Sequence, residues 1–168
     1  APVITGLPAP STINCPATPS FATPTVTDGC GSSFTLTFST ETVLGACAGA
    51  YTVTRTWSAT DGCGNISTAA QVIIVQDVSA PVISALPAPS TINCPATPSF
   101  TTPTVTDACG SAVTLSFVNT TVNGACSGDY TITRTWTAID GCGNSSTASQ
   151  VIHVQDVTAP VIDPLPAP

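Results

Sequence analysis

Residues 1–79 reappear as residues 80–158 without a gap, and a third pass begins at residue 159. The decamer APVITGLPAP at the start returns as APVISALPAP at 80 and as APVIDPLPAP at 159, which sets the period at 79 residues. Self-similarity at a fixed period marks an array, where each unit is one small domain and the gain lies in reach and multiplicity. The expected organisation is one module over 1–79, a second over 80–158, and the first strand of a third over 159–168. That last decamer has no following strands to pair with and is expected to be disordered unless it lies against another module. The alternative is that it completes a neighbour's sheet by strand addition, which would make the chain a self-polymerising fibre subunit.

Within one period the pattern is that of short strands. Residues 3–4, 12–14, 23–27, 34–40, 51–60 and 68–77 alternate Val, Ile, Leu, Phe, Tyr or Trp with Thr and Ser, and Gly, Pro and Asp-Gly turns separate them. No stretch has helical periodicity. Many short strands within about 80 residues indicate an all-β fold of tandem immunoglobulin-like antiparallel β-sandwiches. In YTVTRTWSAT the residues Tyr51, Val53, Arg55, Trp57 and Ala59 share one face. Trp57 and its counterpart Trp136 are therefore expected in the core, the competing role being a sugar-stacking platform. Arg55 and Arg134 are expected to be structural, stacking on those indoles or pairing with a carboxylate.

Four cysteines per repeat fall at identical phases: Cys15, Cys30, Cys47 and Cys63, then Cys94, Cys109, Cys126 and Cys142. An even count in so small a module reads as a disulfide framework made in an oxidising compartment. Zinc fits poorly, because there is no CxxC pair and the sole histidine, His153, has Ile74 at its place in repeat 1. If strands alternate up and down, the turns at 28–31 and 61–65 share one end of the module, and Cys15 and the loop around Cys47 share the other. Of three connectivities, parity selects Cys15 with Cys47 and Cys30 with Cys63, and likewise Cys94 with Cys126 and Cys109 with Cys142.

Composition narrows the function. With two basic residues and a net charge of −7, the chain cannot build the basic surface that nucleic acid or an anionic membrane requires. Its longest apolar run, residues 72–75, falls far short of the roughly 20 residues of a membrane span. The lack of an initiator Met and of a signal sequence reads as an interior segment of a processed, exported protein. His153 has no counterpart in repeat 1, and Glu41 becomes Thr120 in repeat 2, so no acid–base pair recurs. Catalysis is not expected.

The run TRTWSATDGCGNISTAAQVIIVQDVSAPVI resembles the ending of hyalin-repeat-like and related bacterial immunoglobulin-like modules, where a Thr-rich strand enters a D-x-x-G-N turn, a last strand and a D-x-x-x-P linker. In its Cys- and Thr-rich form it is most similar to tandem modules of very large Bacteroidetes surface proteins, including gliding and adhesion proteins exported by the type IX system. The resemblance implies a secreted or cell-surface array that projects a tip or coats the cell. Its partners would be neighbouring repeats and other copies in a filament. A second class of function is direct recognition of glycan or a surface, extending to ice through the TxT triplets at 35–37 and 52–54. No cofactor is required. Calcium is the candidate ion, since Asp77 at the end of module 1 and Asp107 and Asp140 in the near turns of module 2 are placed to converge, with Asn144 beside them. Against this, Asp-Gly and Asp-Ala form turns by capping local amides.

Overall fold

The computed structural model describes residues 1–31 and 33–163, and every statement below concerns these. They fall into two compact units. Unit 1 comprises Ala1–Ala80 together with Asp107–Val113 and Asp140–Asn144, and unit 2 comprises Pro81–Thr106, Thr114–Ile139 and Ser145–Pro168. Two turns that belong by sequence to the second repeat are thus part of the first unit.

Unit 1 has six strands, β1 (Val3–Thr5), β2 (Ser11–Asn14), β3 (Thr25–Thr27), β4 (Phe34–Leu44), β5 (Tyr51–Asp61) and β6 (Ile66–Gln76). Strands β1 and β3 form a two-stranded antiparallel sheet, and the other sheet has the order β2-β6-β5-β4. Unit 2 repeats this with β7 (Val82–Ile83), β8 (Ser90–Asn93), β9 (Val105–Thr106), β10 (Thr114–Asn123), β11 (Tyr130–Ile139) and β12 (Ser145–Gln155). The fold is all-β, with a sandwich-like pair of sheets in each unit and no helix among the described residues. It departs from a purely antiparallel arrangement at one edge, where β2 runs parallel to β6 and β8 parallel to β12. The chain reaches that edge by leaving the small sheet after β1 and crossing through LPAP. Strand β3 starts at Thr25, so Pro24, which has no amide proton to give a ladder, stands just outside it.

The core follows the alternation of β5 and β6. Val53, Trp57, Ala59, Ile73 and Val75 are buried in unit 1, as are Trp136, Ala138, Ile152 and Val154 in unit 2. Trp57 stands opposite Phe38 in the β4–β5 register, with ring centroids 5.0 Å apart. The Arg55 guanidinium lies 4.3 Å from the Phe21 ring centre and 4.4 Å from that of Phe38, and farther, 5.9 Å, from Trp57. Its Nε donates to Thr40 Oγ1. Arg134 sits likewise between Phe100 and Phe117 and donates to Asn119 Oδ1. Both arginines thus stack chiefly on phenylalanines. A buried glutamine, Gln71, accepts from the Ala22 amide across 3.0 Å and ties the long β2–β3 connection to the sheet. Gln150 does the same for Thr101.

The described part of the expected third-module strand, residues 159–163, forms no strand, and Val161 and Ile162 are about 90% exposed. Residues 164–168 and Ser32 lie outside the described residues.

Candidate functional site

The sheet order explains where the cysteines go. Cys15 follows β2 and its amide donates to the Gln76 carbonyl, so it sits at the end of β6. Cys47 lies in the β4–β5 loop, closed by Gly45 N–H to Ala50 C=O at 2.8 Å and Ala50 N–H to Cys47 C=O at 3.2 Å. Since Tyr51 pairs with Val75, this loop is at the same end. At the opposite end the Gly62 amide donates to Ser33 C=O, which sets the Cys63 turn beside the start of β4.

Sharing an end does not produce the expected bonds. The structure joins Cys15 to Cys109 and Cys47 to Cys142, and leaves Cys30, Cys63, Cys94 and Cys126 as free thiols. Parity fixes the end of a sandwich but not the lateral position across it. Cys15 is on the β2 edge and Cys47 beside β5, two strand spacings or about 10 Å away, beyond the Cα separation of under about 7 Å that a disulfide spans. Cys30 and Cys63 are likewise split between the small sheet and the large one. None of the expected intramodular pairings Cys15–Cys47, Cys30–Cys63, Cys94–Cys126 and Cys109–Cys142 is present; two bonds join the first repeat to the second, and the remaining four cysteines are unbonded.

The partner cysteines are presented by self-contained turns. Asp107 Oδ1 accepts from the amides of Cys109 and Ser111, and Asp140 Oδ1 from those of Cys142 and Asn144, while Asn144 Nδ2 returns to Asp140 Oδ2 at 2.9 Å. Asp61 makes the same three bonds to Cys63 and Asn65 in repeat 1. The D-G-C-G-N sequence thus builds its turn locally and holds the cysteine outward whether or not that cysteine is bonded. In unit 1 the two bonded turns seat on Asp77 and the 45–50 loop. Ser111 Oγ is 2.6 Å from Asp77 Oδ2 and 2.7 Å from the Ala48 carbonyl, so its one proton serves one acceptor at a time. Asn144 Nδ2 donates to the Asp77 carbonyl, and Cys142 Sγ lies 3.3 Å from that of Ala48. Gly49 has φ +87°, and a Cβ there would meet Cys109 Cβ at 2.9 Å, so glycine is required by conformation and by space.

The hydrogen bonds set the acidity of these turns. The Asn65 side chain, then its amide, holds the Asp61 carboxyl below the usual carboxylate range. For Asp140 burial pushes upward, but the bonds from Asn144 and Cys142 outweigh it and the net shift is downward. A carboxyl with a lowered folded-state pKa stabilises fully above its unfolded value of about 3.9, and that contribution is lost as pH falls through the folded value. The melting temperature is accordingly expected to be flat from pH 7 to about pH 5 and to fall below about pH 4. Thermal scans of the Asp61→Asn, Asp140→Asn variant should show a shallower acid limb.

Asp77, Asp107 and Asp140 bring carboxylate oxygens within 4.8 Å of one another. Their donor set suits turn capping better than a calcium shell of six to eight oxygens. Asp77 Oδ1 caps Ser79, Oδ2 faces the Ser111 hydroxyl, and the Asn144 amide group points its hydrogens at the cluster. Of the oxygens in this cluster, Asp107 Oδ2 is buried without a hydrogen-bond partner. The other expected residues lie elsewhere. Trp57, Trp136, Arg55 and Arg134 are in the strands described above, and His153 is on β12 against Thr131 Oγ1 and Asp129. Ser111, Ala48 and Gly49 also belong to the site. The visible signals were the C-G-S triplet at 30–32 and 109–111 and the glycine at 49 and 128.

In unit 2 the loop corresponding to 45–50 is open. Asn123, Gly124, Cys126, Ser127, Gly128, Asp129 and Tyr130 line a cavity of about 390 Å³. Beside it the Cys94 thiol bonds Asp156, which raises the thiol pKa and, after the Thr158 amide, lowers that of Asp156. Cys94 should therefore alkylate slowly with iodoacetamide near pH 8, and Asp156→Asn is expected to accelerate it several-fold, as followed by mass spectrometry.

The family described as "HYR-like domain with 4 cysteines" matches residues 3–75 and 82–154. No curated protein matches. Among solved structures, Drosophila N-cadherin EC1-4 is similar at 10% identity and TM-score 0.40, over 92% of this chain and 49% of that one. Protocadherin Gamma B2 EC3-6 is similar at 13% and 0.41, over 95% and 52%. Human Protocadherin-24 EC1-2 is similar at 13% and 0.35, over 94% and 100%. The chain spans about half the length of the N-cadherin structure.

Proposed function

Because the chain belongs to the family of HYR-like domains with 4 cysteines, we propose that it is a non-enzymatic structural segment of an extracellular filament or adhesin, one that extends and displays. The carrying observation is the pair of disulfides that tie residues of one repeat to residues of the next. Such bonds add nothing to a catalytic pocket. In an array they pass tension through covalent bonds where it would otherwise fall on strand hydrogen bonds. Surface proteins of bacteria, with export into an oxidising space, are the setting that the Cys- and Thr-rich sequence suits, and the low charge and scarcity of basic groups fit that setting as well. In this reading the three-carboxylate cluster is a hydrogen-bonded lock. Titration with calcium chloride is expected to leave the melting temperature unchanged, and a saturable rise would make the cluster an ion site instead.

Solution scattering tests the extension. Strands of about ten residues at roughly 3.3 Å each should let every repeat add about 35–40 Å to the maximum dimension. A compact particle would overturn the reading. Selective capture of the isolated chain on a glycan array would replace it with direct glycan recognition.

A further inference from the structure

The four free thiols occupy the same phases as the four bonded ones. Cys94 and Cys126 stand 79 residues after Cys15 and Cys47, and Cys30 and Cys63 stand 79 residues before Cys109 and Cys142. We propose that the free thiols are two complementary half-junctions, a receiving one formed by Cys94, Cys126, Gly128 and Asp156 and an inserting one formed by Cys30 and Cys63, each to be filled by another copy of this repeat through bonds of the type Cys94–Cys30 and Cys126–Cys63.

Three observations carry the match. In unit 1 the receiving loop is filled by the turns bearing Cys109 and Cys142, whereas the equivalent loop of unit 2 is the 390 Å³ cavity lined by Cys126, Ser127 and Gly128. The acceptor that is buried when filled is exposed when open: Asp77 and Asp156 each cap the amide two residues on, but Asp77 is 8% accessible and also holds the Ser111 hydroxyl, while Asp156 is exposed. Glycine shows the same difference. A Cβ on Gly49 would strike the seated Cys109 at 2.9 Å, but on Gly128, at φ +91°, it would meet nothing nearer than Asp156 Cβ at 3.5 Å. The inserting side is preformed too, since Asp61 and Asn65 hold the Cys63 turn in the geometry that Asp140 and Asn144 give the bonded Cys142 turn. Cys30 and Cys63 are both exposed.

Each bond forms when two thiols give two electrons and two protons to a low-molecular-weight disulfide such as oxidised glutathione, which leaves as two thiols. The inference rests on the array reading only in taking the partner to be another repeat. If the chain scatters as an extended particle but does not cross-link, the array reading stands and this one fails.

The test mixes two variants in a glutathione redox buffer. One is Cys30→Ser, Cys63→Ser, which keeps the receiving end. The other is Cys94→Ser, Cys126→Ser, which keeps the inserting end. The mixture is expected to give one disulfide-linked heterodimer of about twice the 16.7 kDa chain mass, while each variant alone stays monomeric. Non-reducing peptide mapping should find Cys94 joined to Cys30 and Cys126 to Cys63. Gly128→Ala in the receiving variant leaves every thiol in place and should slow heterodimer formation by ~10-fold, equivalent to about 1.4 kcal/mol at the docking step. Bonds within one repeat, like-with-like dimers, or no cross-link would each overturn the proposal.

Discussion

Replacing Cys15 and Cys109 together by serine is expected to lower the unfolding free energy of unit 1 by about 4–5 kcal/mol. The bond spans 94 residues, and on the chain-entropy account a loop of that size removes roughly that much freedom from the unfolded chain. The bond from Cys47 to Cys142 spans 95 residues but contributes less once the first is in place, because the first has already shortened the path between its ends. Urea unfolding should register the change as a midpoint shift of about 2 M, taking a slope of about 2 kcal/mol/M. Adding dithiothreitol to the unsubstituted protein should shift it further. A loss below about 1 kcal/mol would mean that the turns at 107–113 and 140–144 seat through Ser111, Asn144 and Asp77 alone.

Trp57→Ala should cost about 3–5 kcal/mol, the range for removing a large aromatic side chain from a packed interior. Trp57 is 7% accessible, packs its ring on Phe38, and completes the aromatic surroundings of Arg55. A unit of this size has on the order of 5–10 kcal/mol in all, so the variant should sit near its unfolding threshold at room temperature. Trp57→Phe should be much milder. The buried indole N–H has no hydrogen-bond partner, so phenylalanine forfeits packing but no polar contact. Trp136→Ala, with an indole in the same state, should repeat the result in unit 2. Thermal unfolding followed by near-ultraviolet circular dichroism would measure both, and a cost below about 1 kcal/mol would place these rings outside the core.

How much of the site could be read in advance differs from residue to residue. The Asp140 turn was legible because D-G-C-G-N closes through bonds to neighbours two and four positions away, and so was the meeting of Asp77, Asp107 and Asp140. Seating of Ser111 on Asp77 was not. It joins residues 34 apart in sequence, and no local preference of a serine foretells such a contact. Gln71 was hidden for the same reason, since a glutamine in a strand reads as an outward polar residue until the Ala22 amide is found against it.

By itself the sequence determined the all-β character, the 79-residue period, the positions of the turns and the end of the sandwich at which each cysteine emerges. Those properties depend on alternation, on Gly and Pro geometry and on side-chain caps, all of which act within a few residues. Only the tertiary structure decided which cysteine meets which. Sheet order β2-β6-β5-β4 sets Cys15 and Cys47 two strands apart and offers each a closer partner from the turns of the following repeat. A periodic sequence presents the same four cysteines in every copy, so pairing within a repeat and pairing between repeats look alike along the chain, and distance in three dimensions selects between them.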